Sequence, residues 1–248
     1  MSNKIIFIEE NNNFIFSKEF AEFVKRSGNY FVFVNRAPLR MLPYSIHEVY
    51  EIAIDGQHAD LKESWHTFRE LYSNFPMPEY NRTENVLTED SNSGFEFFSS
   101  VFWKSMVTSA GGNSNIPEKI DKTGDGDLLV IADGAAFGAI MEDCIETLEN
   151  HDNKRITLWL PESFEYLILK SGIISTPELD MILESIPDYA DSKQYISWEQ
   201  FFTDLLIHLT KDTLFPYSKH HLGKYYMTGM CKQQVIKEFP EAIRENLL

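Results

Sequence analysis

The sequence predicts an α/β protein built on a parallel sheet with helices on both faces, with a small α/β segment before it and a helical region after it. Three observations carry this. Four short apolar runs, VLTED, MVTSAGG, LLVIADG and RITLWLPE, each end in polar residues between Val86 and Leu169. Helical patterns separate them, the alternation that gives a parallel sheet with crossover helices. Beyond Gly172 the apolar spacing becomes helical throughout.

In chain order, IIFIEE reads as a buried strand ending on Glu9 and Glu10, and the loop ENNN follows it. FSKEFAEFVKRS places Phe16, Phe20, Phe23 and Val24 at helical spacing, and NYFVFVNR is a second strand running into Asn35 and Arg36. Pro38 and Pro43 prevent a continuous helix in the next stretch. Trp65, Phe68, Leu71 and Tyr72 fit a short helix, and FPMPEYNRTE reads as a linker, so the boundary falls near Tyr80.

The central strands are expected at 86–89, 106–109, 128–133 and 155–160, all mutually parallel. In STPELDMILESI, a Ser or Thr cap is followed by Pro177 in the first turn and Glu178. SWEQFFTDLLIHLTKD is an amphipathic helix capped by Ser197, with Phe201, Phe202, Leu205, Leu206 and Leu209 on its apolar face. Met230 to Leu248 reads as one more helix interrupted at Pro240. The organisation is therefore 1–80, 81–172 and 173–248.

A chain of 248 residues, 43% hydrophobic and 24% charged, can bury a substantial core and is not disordered in composition. It has no run of 18 apolar residues, and MSNKIIFIEENNN lacks the pattern of a secretory signal, so a cytosolic protein with no membrane span is expected. Cys144 and Cys231 make no disulfide framework. His220, His221 and Cys231 match no usual zinc spacing.

The net charge of −16 weighs against broad nucleic-acid binding, because phosphate affinity comes largely from Lys and Arg. Residues 211–237 are the exception, with Lys211, Lys219, Lys224, Lys232 and Lys237 against Asp212 alone. Tyr217, Tyr225 and Tyr226 are interleaved, so this stretch is either a DNA- or RNA-holding stripe or a tail packed through its aromatics.

Beyond the carboxyl ends of parallel strands is where ligands collect. Glu89 ends the first central run, Asp133 the third, and Glu162 and Glu165 follow the fourth. Carboxylates from separate strand ends suit a hard divalent ion such as Mg²⁺. Taken alone, Asp133 could equally cap the helix predicted in GAAFGAIMEDCIETL.

These motifs resemble the Toprim domain of the OLD-type nuclease group over residues of about 84–171. VLTEDSNSGFEFF is similar to the first motif, with Glu89 on its Glu, and SAGGNSNIPEKI to the second strand and glycine turn. LLVIADGAAFGA takes the place of the Asp-x-Asp motif, but Ala135 stands where the second Asp would be. PESFEYLIL puts Glu165 on the third acidic position, with Glu162 the alternative. The resemblance implies an Mg²⁺-dependent (or Mn²⁺-dependent) nuclease or phosphodiesterase acting on DNA or RNA, in a phage-defence or mobile-element setting. It implies Glu89 as general base or metal ligand, Asp133 as main ligand, and Glu165 or Glu162 as the acid completing the site. Ala135 removes one ligand and so weakens a second metal. The alternative function is a catalytically inactive Toprim-like protein that binds a protein partner through its acidic surface.

Residues 1–80 resemble the Walker B and sensor half of a P-loop NTPase, with Glu9 or Glu10 and Asn35 in the polar positions. No G-x-x-x-x-G-K-[ST] occurs in the sequence, so no nucleotide is expected. Half of such a domain would expose an apolar sheet edge, which calls for a partner protein or a second copy.

Overall fold

The computed structural model describes residues 3–9, 13–35, 37–55, 65–73, 83–123, 126–151, 155–191, 194–245 and 247. Glu10, Arg36 and the linker boundary at Tyr80 lie outside them.

The N-terminal unit is strand β1 (Ile5–Glu9), helix α1 (Lys18–Arg26) and strand β2 (Tyr30–Val34). Ser17 caps α1 by accepting the Phe20 N–H. β1 and β2 pair in parallel, Ile5 opposite Tyr30 and Phe7 opposite Val32. Strand alternation then sorts their side chains. Ile8 and Phe33 join Ile15, Phe20, Ala21, Leu39 and Leu42 in a small core. Ile5, Phe7, Tyr30, Val32 and Val34 face outward and stay exposed, so a whole apolar face, rather than only an edge, is uncovered.

One expectation is corrected here. Trp65, Phe68, Leu71 and Tyr72 lie on a strand, β4 (Trp65–Ser73), antiparallel to β3 (Glu48–Asp55). Their spacing suits a helix turn, but the long-range pairing of Val49 with Tyr72 and Ile52 with Phe68 supplies the backbone hydrogen bonds instead. Tyr72 is buried against the central sheet's core, with Ile46 and Val49 packed beside it.

The four central runs form β5 (Asn85–Thr88), β6 (Met106–Ser109), β7 (Leu128–Ile131) and β8 (Ile156–Trp159), all parallel, in the order β6-β5-β7-β8. Period-2 alternation divides them between two cores. Val86, Leu129, Ile131 and Trp159 point to one face, and Leu87, Leu128, Val130 and Leu158 to the other. The second face is covered by α3 (Ile116–Lys122) and α4 (Met141–Glu149).

The first face is covered by α2 (Ser93–Val101) and α5 (Phe164–Lys170) and by helices from the C-terminal region. These are α6 (Pro177–Glu184), α7 (Ile186–Ala190), α8 (Trp198–Thr210), α9 (Gly229–Lys237) and α10 (Glu241–Glu245). Thr176 caps α6 and Ser197 caps α8, as their sequences predict. Phe202, Leu206, Tyr226, Val235 and Ile243 share one continuous core with the sheet, so residues 173–248 form a layer of the α/β unit. Among the described residues no helix is long and apolar enough to cross a membrane.

Candidate functional site: an acidic pocket at the strand ends

Three strand ends and the C-terminal layer meet at one small cavity of about 30 Å³, room for roughly two waters. Thr88, Glu89, Ser93, Asp133, Glu165 and Lys219 line it. Glu89 follows β5, and its amide continues the ladder by donating to the Ile131 carbonyl at 3.0 Å. Its carboxylate Oε2 accepts the Asp133 N–H at 2.9 Å. The Glu89 carbonyl in turn accepts the N–H of Gly112 at 2.8 Å, so the glycine turn after β6 is tied to the same residue. Gly111 and Gly112 take φ of +76° and +127° there, which only glycine adopts readily.

Asp133 does not cap the segment that follows it. That segment opens with two 3-10 turns, and the α-helix begins only at Met141. The Asp133 Oδ1 accepts instead from the Phe164 N–H at 3.2 Å, the first residue of α5. Gly134 makes this crossing possible. A Cβ on it would lie 2.7 Å from the Leu160 carbonyl oxygen and 3.1 Å from that of Pro161. Gly134→Ala should therefore cost about 1–2 kcal/mol, read as a lowered urea midpoint with an unchanged slope.

Glu165 lies on α5 and is 2% exposed. Its Oε1 accepts the Tyr217 hydroxyl at 2.7 Å, and that hydroxyl lies 2.6 Å from the Ser93 Oγ. Lys219 pairs with Glu199 of α8, and its carbonyl accepts the Ser93 N–H at 2.9 Å.

The carboxylates of Glu89, Asp133 and Glu165 thus share a poorly hydrated space with one ammonium. Burial, then the charges of Glu199 and Asp90, raise the Glu89 pKa to about 7, against the lowering by the Asp133 amide and Lys219. Burial and the neighbouring Glu89, Glu199 and Glu165 push Asp133 well above its ordinary value, in the same direction. For Lys219, burial disfavours the charge, but Glu165, Glu199 and Asp133 outweigh it and the pKa rises.

The structure therefore brings Glu89, Asp133 and Glu165 together and sets Glu162 apart. The Glu162 carboxylate accepts from Ser45 Oγ at 3.2 Å and lies 3.3 Å from His47 Nε2, on a strap formed by residues 44–47. The strap's Ile46 N–H donates to the Gly134 carbonyl, and its Tyr44 carbonyl accepts from the Gly138 N–H, both at 3.1 Å. Ala135 is buried and offers no side-chain oxygen. Glu9 is exposed, and Asn35 donates its side-chain amide to the Ala37 carbonyl.

Lys219, Tyr217, Ser93 and Glu199 were not marked for this site by their sequence pattern. Tyr217 and Ser93 are 124 positions apart in the chain, and only the docking of the C-terminal layer joins them. The same docking alters the 211–237 stripe. Tyr217 and Tyr226 are buried, Tyr225 stacks on Phe215 at 3.8 Å, and Lys232 donates to the Ser100 carbonyl. Lys211, Lys224 and Lys237 remain exposed. His221 pairs with Glu96 at 2.8 Å, and Cys231 is a buried free thiol.

Among the described residues no three His, Cys, Asp or Glu side chains form a ready-made metal cage. Glu165 is engaged by Tyr217, and Glu89 by the Asp133 amide. No family model, curated protein or solved structure matches the chain.

Proposed function

We propose that the pocket is a hydrolytic site for phosphodiesters of DNA or RNA, with one divalent cation, Mg²⁺ or Mn²⁺, held by Asp133 and Glu165, and with Glu89 as the general base. The observation that carries this reading is the convergence of Glu89, Asp133, Glu165 and Lys219 on one cavity beyond the carboxyl ends of parallel strands. Mg²⁺ is commonly held by one or two carboxylates together with waters and substrate phosphate, so a three-residue cage is not required. The donors fit one hard cation. They do not fit a second, because Ala135 carries no ligand atom.

When bound, such a cation polarises a phosphoryl oxygen. Glu89, raised to about 7, sits near neutral pH, where a general base works best. Its Oε2 is held by the Asp133 amide, which leaves Oε1 to take the proton of an attacking water. The water oxygen forms the new bond to phosphorus as the bond to the departing ester oxygen breaks. Lys219 offers a point charge to a phosphate oxygen, and the Tyr217 hydroxyl, beside Ser93, positions the Glu165 carboxylate. The buried free thiols of Cys144 and Cys231 support a reducing, cytoplasmic setting.

The test is direct. Millimolar Mg²⁺ or Mn²⁺ should raise the melting temperature by several degrees and support nicking of supercoiled plasmid or cleavage of single-stranded DNA or RNA. No shift with either ion and no cleavage would sink the reading.

A second reading has its own support. The exposed apolar face of β1 and β2 is unlike a parallel sheet at rest, since such sheets are covered on both faces. It supports a chain whose role is to bind a protein partner or a second copy, with the acidic pocket inactive. Light scattering that shows a monomer at micromolar concentration, without partner capture, would remove it.

A further inference from the structure

A second and much larger cleft, of about 1280 Å³, opens where the N-terminal unit, α4 and the segment leading into α8 meet. Its volume exceeds the roughly 300–1,000 Å³ of small-molecule sites, so it suits a length of chain. Two chemistries line it. Tyr44, Tyr195 and Trp198 give partly exposed aromatic surface. Glu142, Glu146 and Glu149, one helical stripe of α4, are exposed and make no ion pair among the described residues.

The cations nearby act on that stripe only at one end, where the Arg40 charge reaches Glu142. Arg40 is held by Asp143 in two hydrogen bonds of 2.5 and 2.6 Å. Lys25, which also lines the cleft, stands 3.8 Å from Glu22. A phosphate ligand would meet repulsion here, and an apolar one would bury carboxylates without partners. A guanidinium satisfies both walls at once, because it stacks on aromatic faces and pairs with carboxylates.

We propose that this cleft binds an extended, arginine-bearing segment of a partner protein, its guanidinium groups lying on Tyr44, Tyr195 and Trp198 and pairing with Glu142, Glu146 and Glu149. The site is independent of the acidic pocket and does not rest on its chemistry. The segment's charge also complements a chain that carries −16 overall.

Net charge alone could attract any polycation, so the test must separate the cleft from the whole surface. A fluorescent peptide of four Gly-Arg repeats is titrated by anisotropy at about 0.15 M salt, where charges beyond roughly 8 Å are screened. Changing Glu142, Glu146 and Glu149 together to Gln should weaken binding by about tenfold. The control, Glu178→Gln, Asp180→Asn and Glu184→Gln on the exposed face of α6, makes the same charge change and should leave affinity within about twofold. Trp198→Ala should weaken binding by about fivefold. The proposal fails if the peptide does not bind, if both triple variants weaken it alike, or if spermidine displaces it with equal affinity, which would assign the cleft to small polyamines.

Discussion

Glu89→Gln will make the protein more stable at neutral pH by as much as about 3 kcal/mol, and less active. Its carboxylate has an ordinary pKa of 4.5 and a folded pKa of about 7, raised chiefly by burial. Between those values the folded chain keeps a proton that the unfolded chain gives up. Stability contributed by this group is therefore complete below about pH 4.5 and is lost as pH rises through about 7. Gln cannot ionise and keeps an oxygen for the Asp133 N–H, so the variant escapes that loss. Urea midpoints for the two proteins should nearly coincide at pH 4.5 and separate steadily by pH 7.5. Comparing the variant with wild type removes the contributions of titrating groups remote from Glu89, such as Asp143, which Arg40 holds below its ordinary value, whereas Asp133, whose pKa the Glu89 charge raises, contributes to the difference. If the pocket is hydrolytic, the same change slows cleavage by about 10²-fold or more. Stability gained while activity falls is the signature of a strained functional group. Equal midpoints at pH 7.5 would show that the carboxylate is better hydrated than its position implies.

Lys219→Met will have the opposite effect on stability, a loss of about 2–3 kcal/mol. Removing one member of a buried ion pair leaves the remaining charge uncompensated, at a cost of roughly 3–5 kcal/mol when burial is complete. The Lys219 side chain is 30% exposed and that of Glu199 25%, so solvent screening reduces the figure. The loss falls on Glu89, Asp133, Glu165 and Glu199 together, because all of them face the ammonium. Lys219→Met with Glu199→Gln should therefore cost less than the sum of the single changes. A cation entering the same pocket should also help the variant most. At a hundredfold excess over its dissociation constant, Mg²⁺ adds about 2.7 kcal/mol to whatever binds it. The gain in the Lys219→Met protein should match or exceed that of wild type in thermal melts. A smaller gain would mean that lysine and metal do not share the site.

How much of this pocket could be read from the chain differs from residue to residue. Glu89 and Asp133 were legible because each lies within two residues of the end of a strand whose apolar run is unmistakable, and a parallel sheet aims such ends at one edge. Glu165 was legible with Glu162 as a rival, since the two lie close together after β8. Sequence spacing did not separate them. The strap did, because Ser45 and His47 draw Glu162 to the other side of the Asp133 loop. The spacing of Trp65, Phe68, Leu71 and Tyr72 suits a helix, but in so short a run a spacing of three and four residues is compatible with either state. Pairing with β3, set by residues some twenty positions away, decided it.

The sequence by itself determined the local elements of the central sheet and the C-terminal helices, since hydrophobic period, caps and prolines act over a few residues. Ser17, Thr176 and Ser197 start helices where their side chains can accept an orphan N–H. Only the tertiary structure decided that Tyr217 and Lys219 leave the surface stripe for the acidic pocket. Their aromatic and basic character suits a solvent-facing groove equally well. The choice was made when Phe202, Leu206, Tyr226 and Val235 closed over Val86, Leu129 and Trp159. Burying that apolar face stabilises the whole layer by far more than one exposed ammonium gains in water, and it carries Lys219 inward, where Glu165, Glu199 and Asp133 keep it charged.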